Sequence, residues 1–247
     1  MIFIARSYFA EMAACLSWRP GDMVVMMWAY FDESGYHDKD TGHLKRLSFG
    51  GLLASCQAWE GFEADWKAIL TPENIECFHM ADFEKWKEPF DFKRADGTRD
   101  QERHNRILNG LLDVIGRRAP HAFGFTRNVS KPSKALEDTY EGCIIDTVMH
   151  LANASAYRFN DKISIIFARH KDFASPRIEK YFRLMNYGDA RLGRVGTDTP
   201  ANLCQLQAAD IIGYEISRMD RDGVLKRYPL QKLNDLGCKF RFSNHIP

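Results

Sequence analysis

The sequence predicts an α/β domain in which a mixed sheet is flanked by helices. Two apolar runs near the start are typical of an antiparallel strand pair, and later apolar runs alternate with segments of helical periodicity. The chain has 247 residues, of which 45% are hydrophobic and 27% charged. This length and balance indicate one large domain with a sizeable core, and they exclude an extended disordered chain.

The first two strands are predicted as a hairpin. Residues 24–33 (VVMMWAYFDE) form a dense apolar run that ends in two acids before Ser34 and Gly35, as a buried strand does at a turn. Residues 46–54 (RLSFGGLLA) are the predicted partner strand. Gly50 and Gly51 within it indicate either a bulge or the close approach of another backbone.

Helices and further strands follow in mixed order. Ser55 is expected to cap a helix that ends at Leu70, with large aromatic residues at helical spacing on its inner face. Thr98 or Asp100 is expected to cap the next long helix. The other predicted segments are an extended run at 75–83, a surface loop or insertion at 84–100, a strand at 121–129, helices at 133–157, 175–186 and 203–219, a strand at 162–168 and a loop at 191–202.

The chain is expected to divide into an N-terminal extension, residues 1–22, and a single domain, residues 23–247. The opening segment is apolar, but Arg6 and Glu11 interrupt it where a signal peptide or a membrane span requires an uncharged run. The six cysteines are scattered, without the close pairs of a zinc or redox motif. We therefore expect a reduced, cytoplasmic protein without a membrane partner.

The net charge of +1 gives no global basic field, yet Lys and Arg are in excess between residues 158 and 194. Arg177, Lys180 and Arg183 alternate with aromatic residues there. Such a segment either follows a nucleic-acid backbone or is an ordinary solvated helix face. The sequence lacks a phosphate-binding glycine loop, a dinucleotide fingerprint, a nucleophile elbow and a zinc-protease motif, which excludes those enzyme classes.

Two acids lie in apolar surroundings. Asp210 is flanked by two alanines and two isoleucines on a predicted helix, and Asp32 ends the first apolar strand, with Glu33 on the opposite face. A buried carboxylate must be paired, protonated or bound to a cation. Asp210 therefore either hydrogen-bonds a backbone group or a tyrosine, or meets Asp32 at a Mg²⁺ site, because this ion takes one or two carboxylates and keeps several waters.

Three motifs resemble the family named domain of unknown function 3800, a member of the ribonuclease H-like superfamily. They are FDESG at residues 31–35, FGG at 49–51 and LQAADIIGYEISR at 206–218. The resemblance implies a ribonuclease H-like mixed sheet flanked by helices, with an insertion, and a metal-dependent nuclease that acts on nucleic acid with Mg²⁺ or Mn²⁺. It also implies that Asp32 and Asp210 are the metal-site acids, with Glu33 as a weaker candidate.

The same resemblance implies that Glu76 and His79 complete the site, as further ligands or as proton carriers. Strand alternation places these two residues on opposite faces unless a bulge intervenes, and His79 is equally consistent with an ordinary structural histidine. The family pattern favours another acid after the strand at 162–168, where this chain has Ala168 and Arg169, and the nearest polar candidates are His170 and Asp172. Either a histidine replaces the carboxylate, or the site has lost catalysis and keeps a binding role. The alternative function is therefore a non-catalytic nucleic-acid-binding or regulatory protein on the same fold.

Overall fold

A six-stranded mixed sheet forms the centre of the protein in the computed structural model, which describes residues 27–37, 40–41, 43–129, 135–154, 162–169, 192–222 and 227–245. The strands are β1 (Met27–His37), β2 (Leu44–Ser55), β3 (His121–Asn128), β4 (Ile163–Ala168), β5 (Leu192–Asp198) and β6 (Lys239–His245). Their spatial order is β5-β4-β1-β2-β3-β6. Strand β2 is antiparallel to β1 and β3, whereas the pairs β1–β4, β4–β5 and β3–β6 are parallel.

Helices cover both faces of this sheet. They are α1 (Cys56–Glu60), α2 (Phe62–Leu70), α3 (Met80–Glu84), α4 (Gln101–Arg118), α5 (Ala135–Ala154), α6 (Cys204–Asp222) and α7 (Tyr228–Asp235). Helix α6 packs on β1, β2 and β3, and α5 packs on the opposite face against β2, β3 and β4. The predicted fold class, an α/β domain in which a mixed sheet is flanked by helices, is confirmed.

Strand alternation divides the core into two layers. In β1, Trp28 and Tyr30 face the layer that contains α6, whereas Ala29 and Phe31 face the layer that contains α5. All four side chains are at most 1% exposed. A central strand buried on both faces accounts for the nearly continuous apolar run in this part of the sequence.

Two predicted helix caps are present. The Ser55 hydroxyl accepts a hydrogen bond from Ala58 N at 3.2 Å, and the Asp100 carboxylate accepts one from Arg103 N at 3.0 Å. The helix predicted from Ser55 to Leu70 is divided at Gly61 into α1 and α2. A side chain on Gly61 would lie 2.6 Å from the Arg118 guanidinium, so glycine permits the contact with α4 at this break.

Several segment predictions are wrong or fall outside the described residues. The segment 191–202, predicted as a loop, contains β5, and 75–83 is irregular up to the start of α3 rather than extended. Helix α7 and strand β6 were not predicted. The predicted helix 175–186 and the boundary after residue 22 lie outside the described residues. No helix in the described ranges is long and apolar enough to cross a membrane.

Two glycines bring α6 into contact with the first hairpin. A Cβ atom on Gly50 would lie 2.0 Å from Gly213 N, and one on Gly213 would lie 3.1 Å from the carbonyl oxygen of Asp32. The register of β1 and β2 is regular through Gly50 and Gly51. The close approach of another backbone, rather than a bulge, is therefore what these glycines permit. This close contact places α6 directly over Asp32 in β1.

We expect Gly50→Ala to lower the melting temperature strongly, because the new methyl group meets helix backbone that has no flexible end to move. Overpacking of this kind costs about 1–3 kcal/mol or more. Gly110→Ala in α4 is the matched control, since its methyl group meets only the end of the Ile69 side chain at 3.1 Å and alanine favours the helix. Equal melting temperatures for the two variants would contradict the close helix–sheet contact.

Candidate active site

Asp32 lies on the α6 side of β1, two residues after Tyr30, and is 8% exposed. Its carboxylate Oδ1 accepts a hydrogen bond from Glu33 N at 2.8 Å. The strand does not stop at Ser34 and Gly35 as predicted but continues to His37. Its middle part is tied to α6, since the Ser34 hydroxyl donates to the Ser217 hydroxyl at 3.1 Å, and Ser217 donates to the carbonyl oxygen of Tyr214 at 2.8 Å. These bonds hold this part of β1 against the helix that carries Asp210.

One face of α6 holds the segment that precedes α3. The Gln207 side-chain oxygen accepts hydrogen bonds from Trp66 Nε1 at 2.9 Å and from Phe78 N at 3.0 Å. One turn later, Asp210 Oδ2 accepts a hydrogen bond from Met80 N at 2.6 Å. Asp210 is 6% exposed. The backbone partner expected of a structural aspartate is therefore present, while the second carboxylate oxygen faces His79.

Asp32, Glu33 and Asp210 influence one another electrostatically. Burial raises the pKa of Asp32 well above its ordinary value, and the charges of Glu33 and Asp210 raise it further. Burial likewise raises the pKa of Asp210 to about 6. Within the described part of the chain, neither aspartate forms an ion pair with a lysine or an arginine. The structure thus brings together two buried acids without a strong cation to compensate them.

Glu33 belongs to the same cluster although strand alternation turns it toward the α5 side. Burial raises its pKa to about 7, and the charge of Asp210 contributes in the same direction. The charges of Glu33 and Asp32 also add to the burial that raises the pKa of Tyr140 on α5. Glu33 is therefore close to groups of both helical layers, Asp210 on the α6 side and Tyr140 on the α5 side.

His79 lies beside Asp210 at the start of α3. Its Nε2 is 4.0 Å from Asp210 Oδ1, and its Nδ1 is 2.8 Å from Asp82 Oδ2. Lys87 donates to the other oxygen of Asp82 at 2.9 Å. Because the His79 side chain is 54% exposed, it is accessible to solvent and to a ligand. Sequence analysis named His79 and did not find the role of Asp82, which orients its ring.

Glu76 is not brought to this cluster. It is exposed, and it lines a separate cleft of about 450 Å³ between α2 and the start of α6, together with Lys67 and Asn202. The backbone from Ile75 to His79 is irregular, so strand alternation does not decide where these side chains point. The structure therefore does not bring Glu76 into the cleft that His79 lines.

A cleft of about 390 Å³ opens next to the acids. Glu33 and Asp210 line it on one side, and its other lining residues include both cationic and aromatic side chains: Tyr36, His37, His79, Lys85, Tyr214 and Arg218. The Arg218 guanidinium lies over the Tyr214 ring, 4.4 Å from its centroid. The cleft thus combines buried acids at its base with positive charge at its rim.

Among the described residues, the acid next to Ala168 is Asp198 on β5. Ala168 is buried in the α6 layer, and its partner across the parallel strands is Asp198, the last residue of β5. Two strand spacings place the β5 backbone about 10 Å from β1. Asp198 Oδ1 already accepts hydrogen bonds from Thr199 N at 2.7 Å and from Asn202 Nδ2 at 2.8 Å. His170 and Asp172 lie outside the described residues.

Among the described residues, no three His, Cys, Asp or Glu side chains form a group that could by itself hold a metal ion. The acids nevertheless fit a magnesium-type ion, which takes one or two carboxylates and keeps several waters. Each of the two buried carboxylates accepts a backbone hydrogen bond through one oxygen, from Glu33 N at 2.8 Å for Asp32 and from Met80 N at 2.6 Å for Asp210, and the charge of Asp210 contributes to the raised pKa of Asp32. Asp32 and Asp210 are the residues that would hold such an ion, with Glu33 beside them.

No protein-family model matches this chain, and no curated protein matches it. Among solved structures, the chain is similar to the crystal structure of Bst-RNase HIII in complex with Mn²⁺, with a TM-score of 0.39 and 11% sequence identity. The match covers 85% of this chain and 70% of that chain. The resemblance to the domain of unknown function 3800 family stays a prediction.

Proposed function

We propose that the protein is a divalent-metal-dependent nuclease that hydrolyses phosphodiester bonds in the cleft beside Asp32 and Asp210. The observation that carries the proposal is the pair of buried aspartates Asp32 and Asp210, which are 8% and 6% exposed and have no lysine or arginine partner among the described residues. In agreement with this, burial and then the charges of Glu33 and Asp210 raise the pKa of Asp32. Burying two ionised carboxylates costs desolvation free energy, and their like charges repel each other. A bound cation offsets both costs, so metal binding stabilises the folded protein.

Each residue of the cleft has a separate task in this function. Asp32 and Asp210 hold Mg²⁺ or Mn²⁺, which supplies a water of lowered pKa and charge stabilisation at the phosphate. The imidazole of His79, which Asp82 orients, lies beside Asp210 and transfers protons to or from the reacting groups in the cleft. Lys85 and Arg218 bind the phosphates on either side of the scissile bond and keep the strand in place.

The test is cleavage of labelled single-stranded and duplex DNA and RNA by the purified chain with Mn²⁺, with Mg²⁺ and with EDTA. We expect cleavage with either ion and none with EDTA. We also expect Mn²⁺ to raise the melting temperature at neutral pH, because an ion that binds only the folded state stabilises it. Absence of both effects would contradict the proposal.

A non-catalytic nucleic-acid-binding protein is the second candidate. It is favoured by the alanine at position 168 and by the lack of a three-residue metal group in the described ranges. The two functions differ in one measurable respect, since a binding protein retains nucleic acid in Mn²⁺ without shortening it. Gel analysis of the bound strand therefore separates them.

Replacing Lys85 and Arg218 together by glutamine is expected to weaken binding of every nucleic-acid sequence to a similar extent. Each lost phosphate contact releases fewer counterions, so the slope of log affinity against log salt should fall by about 0.9 per contact on duplex or about 0.7 on single strands. Lys93→Gln is the control, because its amino group lies outside the cleft and is 62% exposed. An unchanged slope would mean that the strand does not cross this rim. The basic residues Arg177, Lys180 and Arg183 lie outside the described residues.

A further inference from the structure

A second cleft, of about 620 Å³, lies beside the acidic one. The two share a ridge: Lys85 lines the acidic cleft, and the next residue, Trp86, lines the second. On the other side of the ridge, the Arg227 guanidinium lies 5.8 Å from the centroid of the Tyr214 ring, which lines the acidic cleft. The volume lies within the usual range of small-molecule sites. A polymer that enters one cleft can therefore continue into the other.

His104 lines the second cleft and carries a buried hydrogen-bond acceptor that has no partner among the described residues. Its ring is stacked between Phe83 and Trp86, with centroid distances of 3.6 and 4.2 Å. Its Nε2 is 3.0 Å from the carbonyl oxygen of Phe83. A carbonyl only accepts, so Nε2 carries the hydrogen and Nδ1 keeps its lone pair. Nδ1 is buried and has no hydrogen-bond partner, and burial lowers the pKa of His104, which keeps the ring neutral.

The aromatic walls of this cleft are held rigidly. Trp86 has a backbone φ of 56°, in the left-handed region, which costs a residue with a large side chain about 1–3 kcal/mol. Its ring is kept in place by His104 on one face and by the Arg99 guanidinium, 5.0 Å from the ring centroid. Tyr228 is 51% exposed and donates its hydroxyl hydrogen to Asn109 Oδ1. Its ring is thus oriented while remaining open to a ligand.

We propose that the second cleft is a subsite for an unpaired nucleobase of a single-stranded nucleic acid whose backbone continues into the acidic cleft. The subsite rests on the proposed function, which places that backbone beside Asp210. Every base carries an N–H donor on its Watson–Crick edge, the group that His104 Nδ1 accepts, and a flat face, which Tyr228 stacks. Pairing occupies that edge in a duplex, so the cleft selects single strands.

The experiment measures binding by fluorescence anisotropy with full-length Asp210→Asn protein in EDTA, where the strand is not cleaved. The probes are a fluorescein-labelled mixed-sequence strand of about 12 nucleotides, as DNA and as RNA, and the corresponding duplexes. Tyr228→Ala and His104→Phe are made in this background. Met149→Ala is the control, because Met149 is 48% exposed on α5, on the opposite face of the sheet. Thermal melting of each variant accompanies the titration.

We expect Tyr228→Ala to weaken single-strand binding about tenfold, the usual effect of removing one stacking platform, and to leave duplex binding unchanged. His104→Phe keeps an aromatic ring between Phe83 and Trp86 and removes the Nδ1 acceptor. It should also weaken single-strand binding. If His104→Phe fails to fold, Tyr228→Ala decides alone, since it changes an exposed side chain. Equal single-strand binding by the control and Tyr228→Ala proteins would overturn the subsite.

Failure of the subsite and failure of the proposed function give different results. Binding that depends on Tyr228 without any cleavage by the wild-type chain in Mn²⁺ supports the subsite and refutes the nuclease. Cleavage in Mn²⁺ together with single-strand binding that Tyr228→Ala leaves intact refutes the subsite and supports the nuclease.

Discussion

Asp210→Asn is expected to abolish metal-dependent cleavage while the protein keeps its fold. The asparagine side-chain oxygen still accepts the hydrogen bond from Met80 N, which Asp210 Oδ2 receives at 2.6 Å. The substitution removes only the negative charge that a metal ion requires. A bound ion contributes several kcal/mol of charge stabilisation, so cleavage should fall by about a thousandfold. The measurement is the initial rate of strand cleavage in Mn²⁺, with a melting curve of the same sample.

Two further variants separate the metal role of Asp210 from its structural role. Asp210→Ala leaves the Met80 N–H buried without an acceptor, which costs about 1–3 kcal/mol, so this variant should lose stability as well as activity. Asp113→Asn on α4 is the control, because Asp113 is 48% exposed and pairs with Lys232 instead. An Asp210→Asn protein that cleaves like the wild type would leave only the structural role.

The central elements of the fold could be predicted because their sequence patterns record burial directly. Residues 27–31 lie in the part of β1 that is covered on both faces, so their apolar run is continuous. The Ser55 and Asp100 caps were found because capping depends on residues only three positions apart. Interactions this local can be inferred from a sequence without knowledge of the tertiary structure.

Strands β5 and β6 could not be predicted because distant partners stabilise them. Strand β5 (LGRVGTD) has two glycines and two charged residues, and only Leu192, Val195 and Gly196 are buried in it. Its pairing with β4 holds it in the sheet. Strand β6 pairs with β3, more than one hundred residues earlier in the chain. A strand on the edge of a sheet needs little apolar character of its own, so local periodicity does not identify it.

The acidic site was only partly predictable. Asp32 and Asp210 were identified because a carboxylate in an apolar run needs a partner, and the close contact of Gly50 with Gly213 explains how they meet. The position of Glu76 could not be inferred, because the chain before α3 is irregular and its course is set by the hydrogen bonds that Phe78 N and Met80 N donate to Gln207 and Asp210. No sequence pattern specifies these contacts, although the three-residue spacing of Gln207 and Asp210 places both on one helix face.

The contribution of the acidic cluster to the stability of the metal-free protein is expected to fall as the pH rises from about 4 to about 7. The pKa of Glu33 is raised from 4.5 to about 7 and that of Asp210 from 3.8 to about 6. Acids with a raised native pKa bind more protons folded than unfolded, so they stabilise the protein only while protonated. The loss at neutral pH is on the order of a few kcal/mol. The Asp210→Asn protein should lose less stability over this pH range, because it lacks one titrating acid and the repulsion between that acid and Glu33.

The measurement is the free energy of unfolding of the wild type minus that of Asp210→Asn, in EDTA above about pH 4.5. This difference isolates the contribution of the acidic cluster to stability. The lowered pKa values of Glu73 and Asp82, and of His104 and His121, reduce stability toward acid, but they affect both proteins and cancel in the difference. The difference should become more unfavourable to the wild type between pH 5 and pH 7. Mn²⁺ should reverse it at pH 7 and have little effect near pH 5, where protons compete for the carboxylates. A difference that does not change with pH would mean that the pKa of Asp210 is not raised in the folded protein.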